Sequence, residues 1–367
     1  MQEKGQISAL QMGIMMFPFM LAINFLVYPT IAAQYAGNDF WLVGFFHFLF
    51  GSVIIYILTK LHKLYPHQTL SEYSEKIIGK FPAKLLMFLY LFYFLHSLGA
   101  SIRQYAEFVT GTFLFRTPIL LILISIVLLA AITVRCGVEV IARSATILVP
   151  LFVIPLTMLI LLLPDLHIKH VMPILSHGII PVVKATQWWI GNFIVIAYLL
   201  PYLSNPESGR KASMFTLTAV VVTGTYINLL CLMLLGPDTS VKIYPVHVLF
   251  RYVSFANFFE NMEALLLVMW VVGCFIRVAV FYYVASVSLA QWLNLENYRS
   301  FVFPLGLLIV VFSLWDFPDV SAMGVFFRTA YPFEQLLTGL VIPLFLLLIA
   351  LLRRKKPEQV SVNETNH

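Results

Sequence analysis

Apolar residues run along this chain in long unbroken blocks, not in the alternating pattern of a half-buried strand or the single stripe of a water-facing helix. Stretches free of Asp, Glu, Lys and Arg recur at 5–38, 40–59, 85–102, 117–134, 144–164, 185–206, 212–237, 264–276, 278–295, 300–315 and 335–352. A helix needs about 20 apolar residues to cross the hydrocarbon core. The blocks therefore predict ten spans, near 8–33, 40–59, 83–111, 117–134, 144–164, 185–206, 212–237, 259–292, 300–315 and 335–352. The eighth joins two blocks across Arg277, and the alternative is two shorter spans. Connections are short except 165–181, 237–258 and 316–331, and none has room for a soluble domain. The expectation is an all-α polytopic protein with one transmembrane domain over 1–367, ending in a polar tail at 353–367.

Composition narrows the class. Hydrophobic residues make up 60% of the 367 and charged residues 11%, against about 25% charged in a soluble domain. The chain cannot cover its own surface with charge, which excludes a soluble globular protein, and it is too apolar to be disordered. The net charge of +6 is a matter of topology. With both termini in the cytoplasm, fifteen Lys and Arg fall on that side and six on the other, leaving only Arg103 and Arg277 inside spans. Short cytoplasmic loops carry such an excess, so ten spans with both ends inside fit. No Lys/Arg-rich face is left for nucleic acid. The N-terminus shows no cleavage site, and the first span is expected to act as its own insertion signal. Cys136, Cys231 and Cys274 form no CxxC pair, so neither a disulfide framework nor a zinc site is suggested.

Membrane transporters are often built from two halves of opposite topology, with interrupted helices meeting at the midplane. Here the halves would be about 8–163 and 182–352. Span 1 holds Pro18 and Pro29, with Ala22, Ile23 and Asn24 between them. A proline frees a backbone carbonyl, and an asparagine can serve that carbonyl or a ligand. Span 6 offers Gly191 and Asn192 in the same sense, before Pro201. The expectation is a 5+5 inverted repeat with helices 1 and 6 interrupted around a cavity; for span 1 the alternative is a kinked helix. Ser97 and Ser101 lie one turn apart in span 3, where they either line a pocket or bond back to their own helix. Gly99-x-x-Ile102-Arg103 in span 3 is echoed by Gly273-x-x-Ile276-Arg277 in span 8, the third span of each half.

An arginine at the bilayer centre costs about 2.5–3.5 kcal/mol on insertion scales, so each needs a reason. Arg103 has Glu107 four residues on, on one helix face, and the pair reads either as a gate or as a structural ion pair snorkelling to the interface. Arg277 has no local acid; it either snorkels or faces the bundle interior. Glu260 and Glu263 open span 8. Glu260 reads as a complement to the helix dipole, and Glu263, one turn deeper, as a carboxylate of the outer vestibule. His167, His170 and His177 share a loop at irregular spacing without cysteine or carboxylate support, so no metal site is expected. GxxxxGK[ST], GxGxxG and GxSxG are absent. No catalytic residue and no cofactor are assigned, and an enzyme is not expected.

Several segments resemble a known family in order and spacing. They are Ile7-Ser8-Ala9-Leu10-Gln11, the turn Ala36-Gly37-Asn38-Asp39-Phe40-Trp41, and Arg103-x3-Glu107 with Arg116-Thr117-Pro118. Further on come the loop from Met172-Pro173 to Pro181, Glu260-x2-Glu263 with Leu265 to Trp270, and Phe312-Ser313-Leu314-Trp315. Over about Ile7 to Lys355 the chain resembles the spore germination protein family, the integral-membrane B subunit of GerA-type nutrient germinant receptors. That family belongs to the amino acid–polyamine–organocation transporter superfamily. The resemblance implies a LeuT-like ten-helix fold in the inner membrane of a dormant spore. It implies an A subunit and a lipoprotein C subunit as partners, with membrane lipid around them and no nucleic acid. It implies sensing of a small nutrient (amino acid, nucleoside or sugar) as the trigger of germination. Relatives carry a Gly-Ala-Gly-like stretch where this chain has Ala22, Ile23 and Asn24. Some carry Gly-x-Glu where it has Phe193 and Val195. The bulk in span 1 would narrow a pocket or change its ligand, and both departures speak against an amino-acid ligand of the usual kind.

The expected ligand-binding set is therefore Ala22, Ile23, Asn24, Ser97, Ser101, Gly191 and Asn192, between spans 1, 3, 6 and 8. The expected charge or gating set is Arg103, Glu107, Glu263 and Arg277. The alternative is a secondary permease moving an amino acid or amine by alternating access.

Overall fold

Ser8 starts the first helix with a reciprocal cap. Its Oγ accepts from the Gln11 N–H at 3.1 Å, and its own N–H donates to Gln11 Oε1 at 2.9 Å, so two of the helix's orphan donors are satisfied. The preceding residue is pinned as well, because Ile7 pairs with Leu203 across a short bridge. The computed structural model describes residues 5–22, 24–186, 190–253 and 262–354, with backbone alone at Asn24, Ile190 and Arg354.

The helices are α1 (Ala9–Leu21), α2 (Asn24–Ala36), α3 (Val43–Leu64), α4 (Leu70–Ile78), α5 (Lys80–Thr112), α6 (Ile119–Cys136), α7 (Val138–Met158), α8 (Ile180–Thr186), α9 (Ile196–Leu199), α10 (Gly209–Leu235), α11 (Pro245–Tyr252), α12 (Glu263–Trp292), α13 (Val302–Trp315), α14 (Val320–Leu336) and α15 (Ile342–Arg354). Among the described residues, nine stretches are long and apolar enough to cross a membrane, with α1 as a shorter apolar helix before them. The first of the nine contains both α2 and α3, separated by a 3-10 turn at Gly37–Leu42. Gly37 there has φ of 56°, a conformation that glycine adopts without steric cost. Read as one interrupted span, α1 and α2 complete the expected ten.

Span 6 is also not one helix. α8 ends at Thr186, and residues 190–195 form a 3-10 stretch before the single turn of α9. Gly191 and Asn192 lie in that stretch. Span 8 is one helix rather than two. From Val272 to Ser288 every residue of α12 is buried, the all-round burial of a central membrane helix. It packs against α1, α5, α6 and α7. α6 shows the complementary pattern: Leu121, Ile124, Leu128 and Ile132 face outward, apolar surface that a bilayer covers.

One stretch corrects the sequence reading. Residues 316–331, expected as a loop, are helical from Val320 onward, where the Asp319 side chain accepts from the Ala322 N–H at 2.8 Å. Asp319, Arg328 and Glu334 had interrupted the charge-free block. The buried positions Met323, Phe327 and Tyr331 nevertheless recur at helical spacing, and the span continues through a five-residue π-turn, Leu337–Val341, into α15. The expected loop 237–258 likewise contains α11.

The broken sixth span meets this π-turn region closely. A Cβ on Gly191 would lie 2.8 Å from the Gln335 Cα and 2.3 Å from its Oε1. Backbone cannot swing aside as a side-chain end can. Gly191→Leu is therefore expected to lower the thermal unfolding midpoint in detergent, by the roughly 1–3 kcal/mol of an overpacked core. Adding Gln335→Ala should not restore it, because the Cα clash remains.

Candidate functional site

Arg277 is the centre of the bundle. It sits halfway along α12 with 2% of its surface exposed. Its guanidinium reaches three other spans. Nη1 donates to the Phe19 carbonyl at 2.7 Å, Nε to Ser101 Oγ at 3.2 Å and Nη2 to Asn192 Oδ1 at 3.3 Å. It also lies over two aromatic faces, 5.2 Å from the ring centre of Phe19 and 5.0 Å from that of Phe281. Tyr331 of α14 stands against both Arg277 and Asn192. Of the alternatives open for Arg277, the structure takes the bundle interior.

The Phe19 bond follows from the interruption of helix 1. The last carbonyls of a helix have no partner within it and form the negative end of its dipole. α1 ends at Leu21, and the Ala22 N–H closes on the Pro18 carbonyl at 2.8 Å. The next carbonyl, that of Phe19, takes the arginine. Close approach is made possible on the α12 side by Gly273, where a Cβ would lie 2.8 Å from the Ala22 Cβ and 2.6 Å from the Phe152 ring. Ser101 makes two bonds at once: its Oγ donates to the Ser97 carbonyl at 2.6 Å, the back-bonding alternative, while accepting from Arg277.

The structure thus brings Ala22, Ser101, Asn192 and Arg277 together, with Ser97 one turn along α5 and Gly191 beside Asn192. Ile23 and Glu260 lie outside the described residues, as does the side chain of Asn24. Among the described residues Arg277 makes no ion pair, and neutral oxygens alone hold it. Phe19, Phe281 and Tyr331 had no place in the expected set. Phe281 sits four residues after Arg277 and could have been found from that spacing. Tyr331 was hidden because its segment read as a loop.

The other charged residues lie in two separate places. Arg103 binds Glu107 through Nη2 at 2.6 Å and Nε at 2.8 Å, and gives Nη2 to the Pro318 carbonyl at 2.9 Å. Despite the shared Gly-x-x-Ile-Arg pattern, Arg103 has a carboxylate and Arg277 has none among the described residues. Glu263 accepts from His247 Nε2 of α11 at 3.0 Å and lies 3.9 Å from Arg251 Nε. Burial lowers the His247 pKa from its ordinary value against the opposing pull of Glu263, so near neutrality a neutral imidazole N–H meets the carboxylate. A cluster with no counterpart in the sequence reading joins α5, the end of α13 and α14. His96 Nδ1 is 3.0 Å from Glu334 Oε1, and its Nε2 is 3.5 Å from Asp316 Oδ2.

The two-bond contact of Arg103 with Glu107 gives a direct check. A double-mutant cycle of Arg103→Gln and Glu107→Gln, read by thermal unfolding in detergent, should show a coupling of about 0.5–3 kcal/mol. A coupling near zero would leave the two residues merely adjacent.

Comparison with known proteins places this geometry. The family model described as spore germination protein matches residues 6–319. Spore germination protein KB of Bacillus subtilis (strain 168) is 24% identical, over 99% of both chains. Spore germination protein YndE of the same organism is 28% identical, over 87% of this chain and 90% of its own. Among solved structures, a Na+-coupled sialic acid symporter in a substrate-bound outward-open state aligns with a TM-score of 0.65 at 9% identity, covering 92% of this chain and 80% of its own. Mhp1, a nucleobase-cation-symport-1 family transporter in a closed conformation with bromovinylhydantoin bound, aligns with a TM-score of 0.60 at 15% identity, covering 88% and 75%. At such identities the structural likeness speaks for the fold, which is that of the LeuT-like transporters. A match over most of the chain, on a helical membrane bundle with its first and sixth spans interrupted, makes this chain a member of the spore germination protein family.

Proposed function

We propose that this chain is the membrane subunit of a spore nutrient germinant receptor and binds a small nutrient where helices 1 and 6 are interrupted. The observation that carries the reading is the buried guanidinium of Arg277, held among the described residues by neutral oxygens from three spans and by no carboxylate. Removing a cation from water without a counter-charge costs several kcal/mol. A nutrient that presents a carboxylate or another strong acceptor would offset that cost, so Arg277 is the ligand's anchor. Ala22, Ile23, Asn24, Ser97, Ser101, Gly191 and Asn192 form the pocket wall. Arg103 with Glu107, and Glu263 with His247, set charge toward the outer mouth. Both fold neighbours hold a small molecule, which supports a small-solute site in a protein of this fold.

Binding acts by favouring one of two helix arrangements, and the shift equals the nutrient's differential affinity for them. The two repeats are taken as about 8–163 and 182–352. The receptor lies in the inner membrane of the spore with both termini cytoplasmic, in line with the Lys/Arg asymmetry, beside an A subunit and a lipoprotein C subunit. The nutrient belongs to the amino acid, nucleoside or sugar class. The fold itself favours a second reading, a secondary amino-acid or amine permease. Uptake of labelled substrate by this chain alone in vesicles would select it.

The test begins with deletion in the sporulating host, screened against a nutrient panel, and proceeds to substitutions under the nutrient found. Asn192→Leu should move the dose–response to higher nutrient by about tenfold, the worth of one hydrogen bond. An unchanged dose–response would remove Asn192 from the site. Arg277→Met should abolish the nutrient response while leaving germination by a nutrient-independent trigger intact. Arg277→Lys should fail to rescue it, because a point charge on a flexible stem cannot serve three acceptors at fixed angles. A normal nutrient response of Arg277→Met would refute the anchor.

A further inference from the structure

The flank of the bundle beside α1 carries a groove that the central site does not use. α1 and α10 begin at the same end, where Ile7 pairs with Leu203, and they lie against each other. The contact is close at Gly13, whose carbonyl accepts from Thr216 Oγ1 at 3.2 Å. A Cβ there would lie 3.1 Å from that oxygen. With little side chain along this seam, the membrane-facing surface is hollowed into a cavity of about 550 Å³. Leu10, Phe17, Val149 and Phe215 wall it, and Lys211 is the charged residue of its lining. Leu10 and Phe215 are 68% and 74% exposed.

Lys211 stands in the first turn of α10, at the end of the groove where both helices start. Among the described residues it makes no ion pair, and the first turn of α10 contains no acid. A 27-residue helix adds the positive end of its dipole there. The groove is thus apolar along its length and positive at its mouth, and it runs about two helical turns, from Leu10 to Ala219. The groove lies on the lipid-facing flank, with Leu10 and Phe215 exposed along it, where the acyl chains of the bilayer run against it.

We propose that the groove binds one acyl chain of an anionic phospholipid whose phosphate rests on Lys211. Charge complementarity selects the headgroup, and the groove's place on the lipid-facing flank selects the chain. The site bears on the centre, because its wall α1 is the half-helix that ends in the carbonyl bound by Arg277. The proposal does not rest on any particular nutrient.

The test is native mass spectrometry of the purified full chain, loaded with equal phosphatidylglycerol and phosphatidylcholine of one chain length. One phosphatidylglycerol should persist under activation that strips other lipids, preferred about fivefold, as a single lysine near the surface provides. Lys211→Gln should abolish the preference while a lipid is still retained. Ala219→Phe, which fills the groove, should abolish retention. Its thermal unfolding midpoint in lipid-free detergent checks that it folds, and Ala9→Phe from the opposite wall replaces it otherwise. Equal retention of the two lipids by the unaltered chain, or undiminished retention by the filled variants, would overturn the proposal. So would equal protection by glycerol phosphate alone, which would assign the site to a headgroup without a chain. Disulfide formation between two copies through Leu10→Cys in nanodiscs would give the groove to a second copy and overturn it as well.

Discussion

A guanidinium enclosed by a membrane bundle must find acceptors, and that requirement organises this protein. Arg277 satisfies it with oxygens from three different spans, Phe19 of helix 1, Ser101 of helix 3 and Asn192 of helix 6. Two of the three come from places where regular helix has been given up. The Phe19 carbonyl lies in the last turn of α1, at the negative end of a half-helix, which is where a cation is favoured. Close packing completes the arrangement, with glycines at positions 191 and 273 admitting neighbours that a methyl group would exclude.

The two arginines within spans show how environment, rather than local pattern, decides a role. Arg103 has its carboxylate four residues away and is nearly self-sufficient; Nη2, which also reaches Glu107, fixes the Pro318 carbonyl at the head of α14. Arg277 has no carboxylate among the described residues and recruits across the bundle. Its charge remains available to any anionic group admitted beside it. α14 joins the two, since it begins near the Arg103 anchor and carries Tyr331 to the Arg277 centre. Glu334, three residues further on, meets His96. Movement of this helix would be felt at all three places.

The fold was largely legible in the amino-acid order because the bilayer imposes a coarse rule: a span needs a long apolar block, and the blocks are visible. Pro18 with Ala22 pointed to the break in helix 1, and Gly191 with Asn192 to that in helix 6. What could not be read was pairing across the bundle. Nothing near Arg277 in sequence identifies a backbone carbonyl 258 positions earlier as its acceptor. α14 was lost for a different reason. Arg328 and Glu334 broke the charge-free block although the buried face continued through Phe327 and Tyr331, and Tyr331 disappeared with it. Glu263 was visible as a charge, but its partner His247 lies in a short helix inside what read as a loop.

The central claim is that a small solute engages the interrupted first and sixth spans around Arg277. Hydrogen–deuterium exchange on the receptor in native-lipid nanodiscs, with and without the nutrient that germinates the host's spores, tests it most directly. The account predicts slowed exchange in peptides covering 15–24 and 190–200, with the lipid-facing α6 unchanged. Protection confined to other segments, at nutrient concentrations that trigger germination, would contradict it.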